Sequence, residues 1–484
     1  MTVRRILVRG GHVVTMDPDT GDLPTGDVLI DDGAIVAIAP SIEVKDAEVI
    51  DAAGQIVMPG LIDTHRHTWQ SLMRGICADW TLADYYFGIR LAISPAYTAE
   101  DVRLGNRLGA LDALNAGVTT LLDFSHCNNT PDHADAAVNG LRDAGIRAVF
   151  GYGFFESAPQ ATRFGEHDDR LRDFHRIADT YFPSDSSADD LLTLGVSLTE
   201  TFSTPWRNTV NELAAARERG ALIVNHTGCV WGSSVTAGVM ELDALGLLGP
   251  DIVHVHCNTL DDSEWAALER SDGKVSISVE TELNMGMGRP VFDRCRRHTR
   301  RPTLSADVIS LNSGDLWHEM RFGLGFARWD ATHQVNLGGE MPEIVTTSAR
   351  EALEWTTVNA AAALGLEQRI GSLTPGRRAD VIIVGGSTTE QRPRHDVDGT
   401  LVFQTTTSDV RTVLVDGRVV KRDGALVGVD LDRVLREADS AAERVLGRVA
   451  DAGQKLPGTP PGAFAALEPV FAGFRAEAGT SATI

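Results

Sequence analysis

The two ends of the chain share short apolar runs separated by turn residues, a pattern that predicts β-strands. Near the start, the run Ile6-Leu-Val is followed further along by the turn signal Asp31-Asp-Gly. Near the other end, Val413-Leu-Val-Asp-Gly-Arg-Val-Val contains two apolar runs around an Asp-Gly turn. We therefore predict that residues 1–57 and 370–430 together form one composite β-sandwich.

Strand and helix patterns alternate through the middle of the chain. The strand candidates are Thr119–Asp123, Ala148–Tyr152, Leu192–Leu198, Ala221–His226, Asp251–His256 and Lys274–Val279. Helical patterns such as Asp101–Ala116 and His133–Ala144 separate them. Repeated βα units imply a parallel sheet, so we predict an α/β fold in which residues 58–369 form a distorted (β/α)8 TIM barrel. Residues 431–484 should carry one helix, Leu431–Ala450, and a tail rich in proline and glycine.

Composition narrows the classes of partner. The 484 residues carry 44 basic and 67 acidic side chains, a net charge of −23, which argues against nucleic acid or an anionic membrane as partners. We find no signal-like segment and no apolar run long enough to span a bilayer. The five cysteines form no Cys-x-x-Cys pair, as expected of reduced thiols in a cytoplasmic protein. We expect a small-molecule substrate and a homodimer or higher homo-oligomer.

The candidate chemistry begins at the segment Met58-Pro-Gly-Leu-Ile-Asp-Thr-His-Arg-His67. Residues i and i+2 of a strand share a face, so His65 and His67 can converge on one metal ion. Three further polar residues come at the ends of later predicted strands: His226 in Ala221–Thr227, His256 in Asp251–Asn258 and Asp307 in Pro302–Ile309. Three histidine nitrogens and one aspartate oxygen suit Zn²⁺ or Fe²⁺ with a position left open for water.

The strand candidate that begins at Lys274 alternates clearly between apolar and polar residues as far as Glu282 (Lys274–Glu282). Its apolar positions are Val275, Ile277 and Val279, and its polar positions are Ser276, Ser278, Glu280 and Glu282. The polar face should point into the barrel, which would place Glu280 and Glu282 at its mouth.

Several motifs together resemble the amidohydrolase superfamily, in the branch that holds cytosine deaminase, adenosine-type nucleoside deaminases and triazine hydrolases. They are Pro59-Gly-Leu-Ile-Asp-Thr-His-Arg-His, Ala116-Gly-Val-Thr-Thr, Asn359-Ala-Ala-Ala-Ala-Leu-Gly-Leu and Gly371-Ser-Leu-Thr-Pro-Gly-Arg-Arg-Ala-Asp-Val. The resemblance covers nearly the whole chain. It implies a single metal ion held by His65, His67, His226 and Asp307. It also implies that His256 orients the activated water or the substrate. The lysine that bridges two metals in binuclear members is absent from Leu192–Glu200. We expect Zn²⁺, with Fe²⁺ as the alternative.

The chain departs from the family pattern on the fifth barrel strand. Deaminases of this branch carry His-x-x-Glu there, and the glutamate shuttles protons, whereas this chain has His226-Thr-Gly-Cys229. A thiol is a poor substitute for a carboxylate acid–base group. Glu282, or alternatively Glu280, would then take over the proton transfer. The other interpretation is that both glutamates only line a polar mouth or bind substrate.

We therefore expect a metal-dependent hydrolase in which activated water attacks an electron-poor ring carbon of a flat N-heterocycle and an amine leaves. Asp307 would accept the proton of the water, His256 would stabilise the developing negative charge, and Glu282 or Glu280 would return the proton. One alternative is a halide, an alkylamine or a cyclic amide as the group released. Another is a lyase such as a decarboxylase, given Cys229. A non-catalytic relative is the third.

Overall fold

The computed structural model describes residues 5–155, 157, 164–183, 191–200, 204–229, 238–385, 389 and 391–463. The strands are β1 Ile6–Val13, β2 Leu23–Asp31, β3 Ala34–Ala39, β4 Glu48–Asp51, β5 Ile56–Pro59, β6 Leu61–Arg66, β7 Val118–Ser125, β8 Arg147–Gly153, β9 Leu192–Ser197, β10 Leu222–Thr227, β11 Ile252–His256, β12 Lys274–Ile277, β13 Pro302–Leu304, β14 Val381–Val384, β15 Val410–Val415, β16 Arg418–Arg422 and β17 Ala425–Leu426. The α-helices are α1 Leu82–Tyr85, α2 Ala99–Asn115, α3 Pro131–Ala144, α4 His167–Tyr181, α5 Trp206–Glu218, α6 Val239–Ala244, α7 Asp262–Arg270, α8 Val279–Asn284, α9 Phe292–Arg297, α10 Leu316–Leu337, α11 Ala349–Trp355, α12 Val358–Ala363, α13 Val397–Gln404 and α14 Leu431–Asp451. A π-helix spans Tyr86–Ile93. Much of the predicted tail lies outside the described residues.

The strands from β6 to β13 form the predicted barrel. Each pairs in parallel with the next along the chain. Past β13, backbone hydrogen bonds connect the end of the sheet to its beginning, because the His67 N–H donates to the Asp307 carbonyl (3.1 Å) and the Asp307 N–H to the His65 carbonyl (3.0 Å). The predicted (β/α)8 fold is therefore confirmed, and the closure of the barrel brings His65, His67 and Asp307 together.

The remaining strands form one sheet from both chain ends, in the order β17-β16-β15-β14-β5-β1-β2-β3, with β4 paired to β1. The two ends meet where β14 runs antiparallel to β5. Both ends contribute to the same small core, which includes Ile6, Val28, Val381 and Leu414, all fully buried. The predicted composite of the two ends is thus confirmed, whereas the exact domain limits stay a prediction.

The turn between β15 and β16 shows why the chain reverses there. Asp416 and Gly417 have φ of 54° and 73°. A two-residue hairpin turn of this kind needs positive φ at both central residues, and Asp-Gly is among the sequences that tolerate it best. The Asp-Gly signal in the sequence therefore correctly predicts a hairpin.

A buried ion pair joins the barrel to the terminal sheet. Arg147 at the start of β8 donates from Nε and Nη2 to the carboxylate of Asp380, at 2.8 and 3.0 Å. Its Nη2 also donates to Asp416 at 3.2 Å. All three side chains are buried, so their charges depend on one another for compensation.

The strand predicted over Lys274–Glu282 is wrong in its second half. β12 ends at Ile277 and α8 begins at Val279. The start of α8 is stabilised by carboxylates, because the Ser278 N–H donates to Glu282 (2.9 Å) and the Glu280 N–H to Glu319 of α10 (3.3 Å). Residues two apart point in nearly opposite directions on a helix, so Glu280 and Glu282 do not share a face.

None of the described helices is both long enough and apolar enough to cross a bilayer.

Candidate metal centre and active site

Five side chains that the sequence singles out converge at the carboxyl ends of the barrel strands. Asp307 Oδ1 lies 3.0 Å from His65 Nε2 and 3.3 Å from His67 Nε2. His226 Nε2 lies 3.2 Å from His65 Nε2. Asp307 Oδ2 lies 3.9 Å from Nε2 of His256, which completes the set.

The backbone is strained at two of these positions. His256 and Asp307 have φ of 77° and 53°, in the left-handed region that side chains with a Cβ rarely adopt. Non-glycine residues of this kind are concentrated at functional sites, where the surrounding structure holds them in place. His256 is the last residue of β11, and Asp307 comes three residues after the end of β13.

The ring orientations of two histidines leave their Nε2 lone pairs facing inward. The His67 Nδ1–H donates to the Phe124 carbonyl at 3.3 Å, and the His226 Nδ1–H donates to Glu200 at 2.9 Å. The close approach of His226 Nε2 to His65 Nε2 then calls for a cation or a proton between them. Carbonyl or carboxylate partners behind the ring are typical of metal-binding histidines. The residues present therefore fit a divalent metal ion.

The carboxylate of Asp307 is kept ionised by its neighbours. Burial alone would raise its pKa, but the neighbouring rings of His65 and His67 outweigh burial and hold the pKa of Asp307 well below its usual range. Burial lowers the pKa of His65 well below its ordinary value, so a neutral imidazole is favoured there. A negative oxygen beside neutral imidazoles is the state in which these side chains bind metal.

Glu200 connects the cluster of candidate metal ligands to an arginine. It follows β9, is buried, and forms a bidentate ion pair with Arg90 of the π-helix, in which the Nη2–Oε2 distance is 3.1 Å. The guanidinium of Arg90 stacks over the Phe155 ring, 3.6 Å from its centroid. Glu200 is thereby fixed where it can accept the hydrogen bond from His226.

Glu282 takes the corresponding position behind His256. The His256 Nδ1–H donates to Glu282 Oε1 at 3.2 Å, and Asn258 donates to the other oxygen at 3.0 Å. Burial would lower the pKa of His256, but the hydrogen bond to Glu282 and the charge of Asp307 raise it above the ordinary value. The carboxylate is fully buried and reaches the cavity only through His256.

Glu280 lies away from the cluster. Its carboxylate faces His318 at 3.6 Å, and its backbone N–H is held by Glu319. Burial raises its pKa. The structure therefore brings Glu282 to the site and places Glu280 on the other side of α8.

A largely apolar cavity lies over the cluster. Its described lining comprises His67, Leu82, Tyr85, Tyr86, Arg90, Glu200, His226, Cys229, His256, Thr281, Met287, Asp307 and Val308. Burial, with smaller contributions from Glu200 and Asp307, raises the pKa of Cys229 to about 12, so its thiol stays neutral at pH 7. Aromatic rings at the wall suit a flat, unsaturated molecule.

Sequence reasoning missed Glu200 and Arg90. Glu200 had a usable signal, because it follows a barrel strand at the carboxyl end, where functional groups collect. Arg90 had none, since it lies in an irregular segment, Tyr86–Ile93, with no strand or motif to place it.

The sequence of the chain also matches known proteins. Residues 56–420 match the model of the Amidohydrolase family. The 5'-deoxyadenosine deaminase of Methanosarcina mazei is 30% identical over 456 residues, covering 92% of this chain and 99% of the relative. The 5-methylthioadenosine/S-adenosylhomocysteine deaminase of Symbiobacterium thermophilum is 29% identical, covering 92% of this chain and 100% of that protein.

Solved structures share the fold. The zinc-bound adenosine deaminase of Xanthomonas campestris superposes with a TM-score of 0.80 at 21% identity, covering 91% of this chain and 98% of that one. The zinc complex of the atrazine chlorohydrolase TrzN of Arthrobacter aurescens gives 0.79 at 20% identity, covering 90% and 100%.

Proposed function

This chain belongs to the amidohydrolase family and is a hydrolase of carbon–nitrogen bonds other than peptide bonds, and we propose that it removes an amino group from a flat N-heterocycle. The main support for this proposal is that His65, His67, His226 and Asp307 converge beneath an apolar cavity, with His256 beside them. The deaminases among its relatives support adenosine-type compounds as the first substrates to test.

A single Zn²⁺ is the metal that this set of donors fits best. Three imidazole nitrogens and one carboxylate oxygen leave a position open for water. When bound, such an ion supplies a Lewis acid that lowers the pKa of water to near 7. Zinc in two solved structures of this fold supports this choice over iron.

The residues around that position have separate roles in proton transfer and charge stabilisation. Asp307 Oδ1 lies among the ring nitrogens, while Oδ2 faces His256 and accepts the proton of the attacking water. His256 Nε2 carries a proton only in the imidazolium form, because Nδ1–H already donates to Glu282. In that form Nε2–H hydrogen-bonds the ring atom on which negative charge develops and then transfers its proton to the leaving amine. The proton taken up by Asp307 Oδ2 then restores the imidazolium.

Glu282 acts as a positioning residue in this scheme. It fixes the His256 ring and balances the charge of the imidazolium, and the proton itself passes through His256. Glu280 is left without a role in proton transfer, because its carboxylate faces His318 on the other side of α8.

Dechlorination is the second candidate, and the lining of the cavity favours it. Among the described lining residues, the carboxylates are Glu200 and Asp307, and the first is paired with Arg90. A chloride ion leaves without a proton, so it needs no general acid, whereas an amine does.

Turnover of matched substrates tests the proposal. We would offer the purified enzyme aminated and chlorinated versions of the same purine, pyrimidine and triazine rings, and measure ammonia and chloride. Ammonia release that is lost in Asp307→Asn supports deamination. Chloride release alone would replace it with the second candidate, and a decarboxylated product or no product from any ring would contradict both.

The cytoplasmic location and the homo-oligomer also stay proposals. The five cysteines, which all lie among the described residues, are unpaired, as they would be in a reducing compartment.

A further inference from the structure

An exposed apolar surface follows one side of α10 and the loop after it. Among the described residues, seven of sixteen exposed large hydrophobic side chains lie within residues 322–345. We call this surface the α10 strip; it comprises Phe322, Trp329, Val335, Leu337, Met341, Ile344 and Val345. Their exposure is far beyond that of isolated surface residues, since Met341 is 83% exposed, Ile344 73% and Trp329 53%.

The helical part of the strip has the spacing of a contact seam. Phe322, Trp329 and Leu337 recur after seven and eight residues, so they lie along one face of α10. Gly325 lies on the same face, and a Cβ added there would meet nothing within 4 Å. The glycine leaves a notch beside the two aromatic side chains, into which a side chain of a facing helix can fit.

We propose that two copies of this chain associate through the α10 strip. Charge is the first reason to choose a second copy as the partner. The whole chain has a net charge of −23, but residues 321–347 contain only two arginines and three acidic residues. Two molecules that repel each other elsewhere meet with little repulsion here. Of these charges, Asp330 is already paired with Arg289 and Arg328 donates to the Thr347 carbonyl.

Area is the second reason. Large apolar and aromatic side chains have about 150–250 Å² of surface each, so the exposed fractions leave roughly 800 Å² per copy. That is about the surface that each partner buries in an interface of standard size. A two-fold symmetric contact uses the same patch on both molecules, so one strip supplies both sides.

The second exposed apolar group is less suitable. Leu431, Leu435 and Leu446 of α14 are also exposed, but the helix around them is dense in charge, with arginines and acidic residues at most of its solvent-facing positions. Bringing two such faces together would require desolvating those charges. The α14 face therefore serves as a control surface.

Light scattering of the eluting full-length protein tests this proposal. An interface of standard size gives a Kd in the micromolar range or tighter, so the wild type at about 50 µM should have the mass of a dimer. Trp329→Glu and Leu337→Glu should each raise the dimer Kd at least roughly 100-fold, because every substitution occurs twice in the interface. Leu435→Glu, the matched control on α14, should leave the mass unchanged.

Far-ultraviolet circular dichroism and the Tm should match the wild type in all three variants, because the substituted side chains are exposed. A monomeric wild type would overturn the proposal, as would an oligomer that both α10 variants leave intact or that Leu435→Glu dissociates. None of these results depends on the proposed reaction, whose failure would show in turnover alone.

Discussion

Glu282 and Glu280 lie two residues apart on α8, and only Glu282 contacts a side chain that faces the cavity. Glu282→Gln should lower kcat by roughly 100-fold, the scale of a lost acid–base function, with metal content unchanged. The alkaline limb of the pH profile should also move to lower pH, because His256 loses the carboxylate that favours its imidazolium form. Glu280→Gln is the matched control and should keep nearly full activity. Equal loss in both variants, or an unmoved pH profile in Glu282→Gln, would show that Glu282 is merely structural.

Glu200 should affect metal affinity more than chemistry, because it holds His226, which we propose as a metal ligand, through Nδ1. Loss of such a partner typically weakens metal binding 10–100-fold, and we expect a fall of about that size in Glu200→Gln. Competition with a chromogenic chelator measures it. Glu269→Gln removes a carboxylate from His298, 3.0 Å away at the surface, and should leave zinc affinity unchanged. Similar affinities for Glu200→Gln and the wild type would contradict this assignment.

At the scale of single elements, the pattern of the sequence predicts where most barrel strands begin but not how each one ends. His65 and His226 could be placed from the sequence because they lie within strands, and His67 because it directly follows β6. The sequence also predicts Glu282 and Asp307 at the mouth of the barrel, but not the backbone that holds them there. The change from β12 to α8 depends on carboxylates that cap the helix, one of them from distant α10. Asp307 has a positive φ at the point where the barrel closes.

The hydrogen bonds between Thr199, which follows β9, and Glu212 of α5 should make the free energy of unfolding depend on pH. Glu212 of α5 is fully buried and accepts the N–H and the hydroxyl of Thr199, both at 2.9 Å. Burial raises its pKa from 4.5 to about 8, against the opposing effect of these hydrogen bonds. Between pH 4.5 and about 8, the folded state therefore keeps a proton on Glu212 that the unfolded state has released. The contribution of Glu212 to the free energy of unfolding falls as the pH rises through this range. As the pH rises from 5 to 8, the Tm of Glu212→Gln should fall less than the Tm of the wild type. Parallel Tm curves for the two proteins would contradict this.

Across the whole molecule, the ion pair of Arg147 with Asp380 and Asp416 should hold the barrel and the terminal sheet together. Removal of one partner leaves a buried charge without full compensation, which costs about 3–5 kcal/mol. Asp380→Asn should therefore lower the urea midpoint markedly, and the barrel and the sheet should still unfold in one transition. Glu437→Gln, which breaks an exposed pair with Arg433, should leave the midpoint unchanged. An equal midpoint for Asp380→Asn and the wild type would rule out this role.

The sequence predicts more of the overall architecture than of the candidate site. Both ends of the chain have short apolar runs separated by turn residues, which predicts that they form one β-structure together. The β5–β14 pairing confirms this prediction. The partners of the cluster are less accessible, because Arg90 and Glu200 are 110 residues apart and meet only after the barrel closes. Pair contacts of this kind leave no periodic signal in either segment.

A zinc titration followed by ammonia release tests the central claim most directly. Enzyme stripped with a chelator would receive increasing zinc while ammonia is measured from an aminated N-heterocycle, with 5'-deoxyadenosine as the first substrate. We expect no ammonia at the start, a linear rise, and a plateau at about one ion per chain. A plateau at two ions, full activity in the stripped enzyme, or no ammonia from any aminated ring at saturating zinc would contradict a mononuclear deaminase.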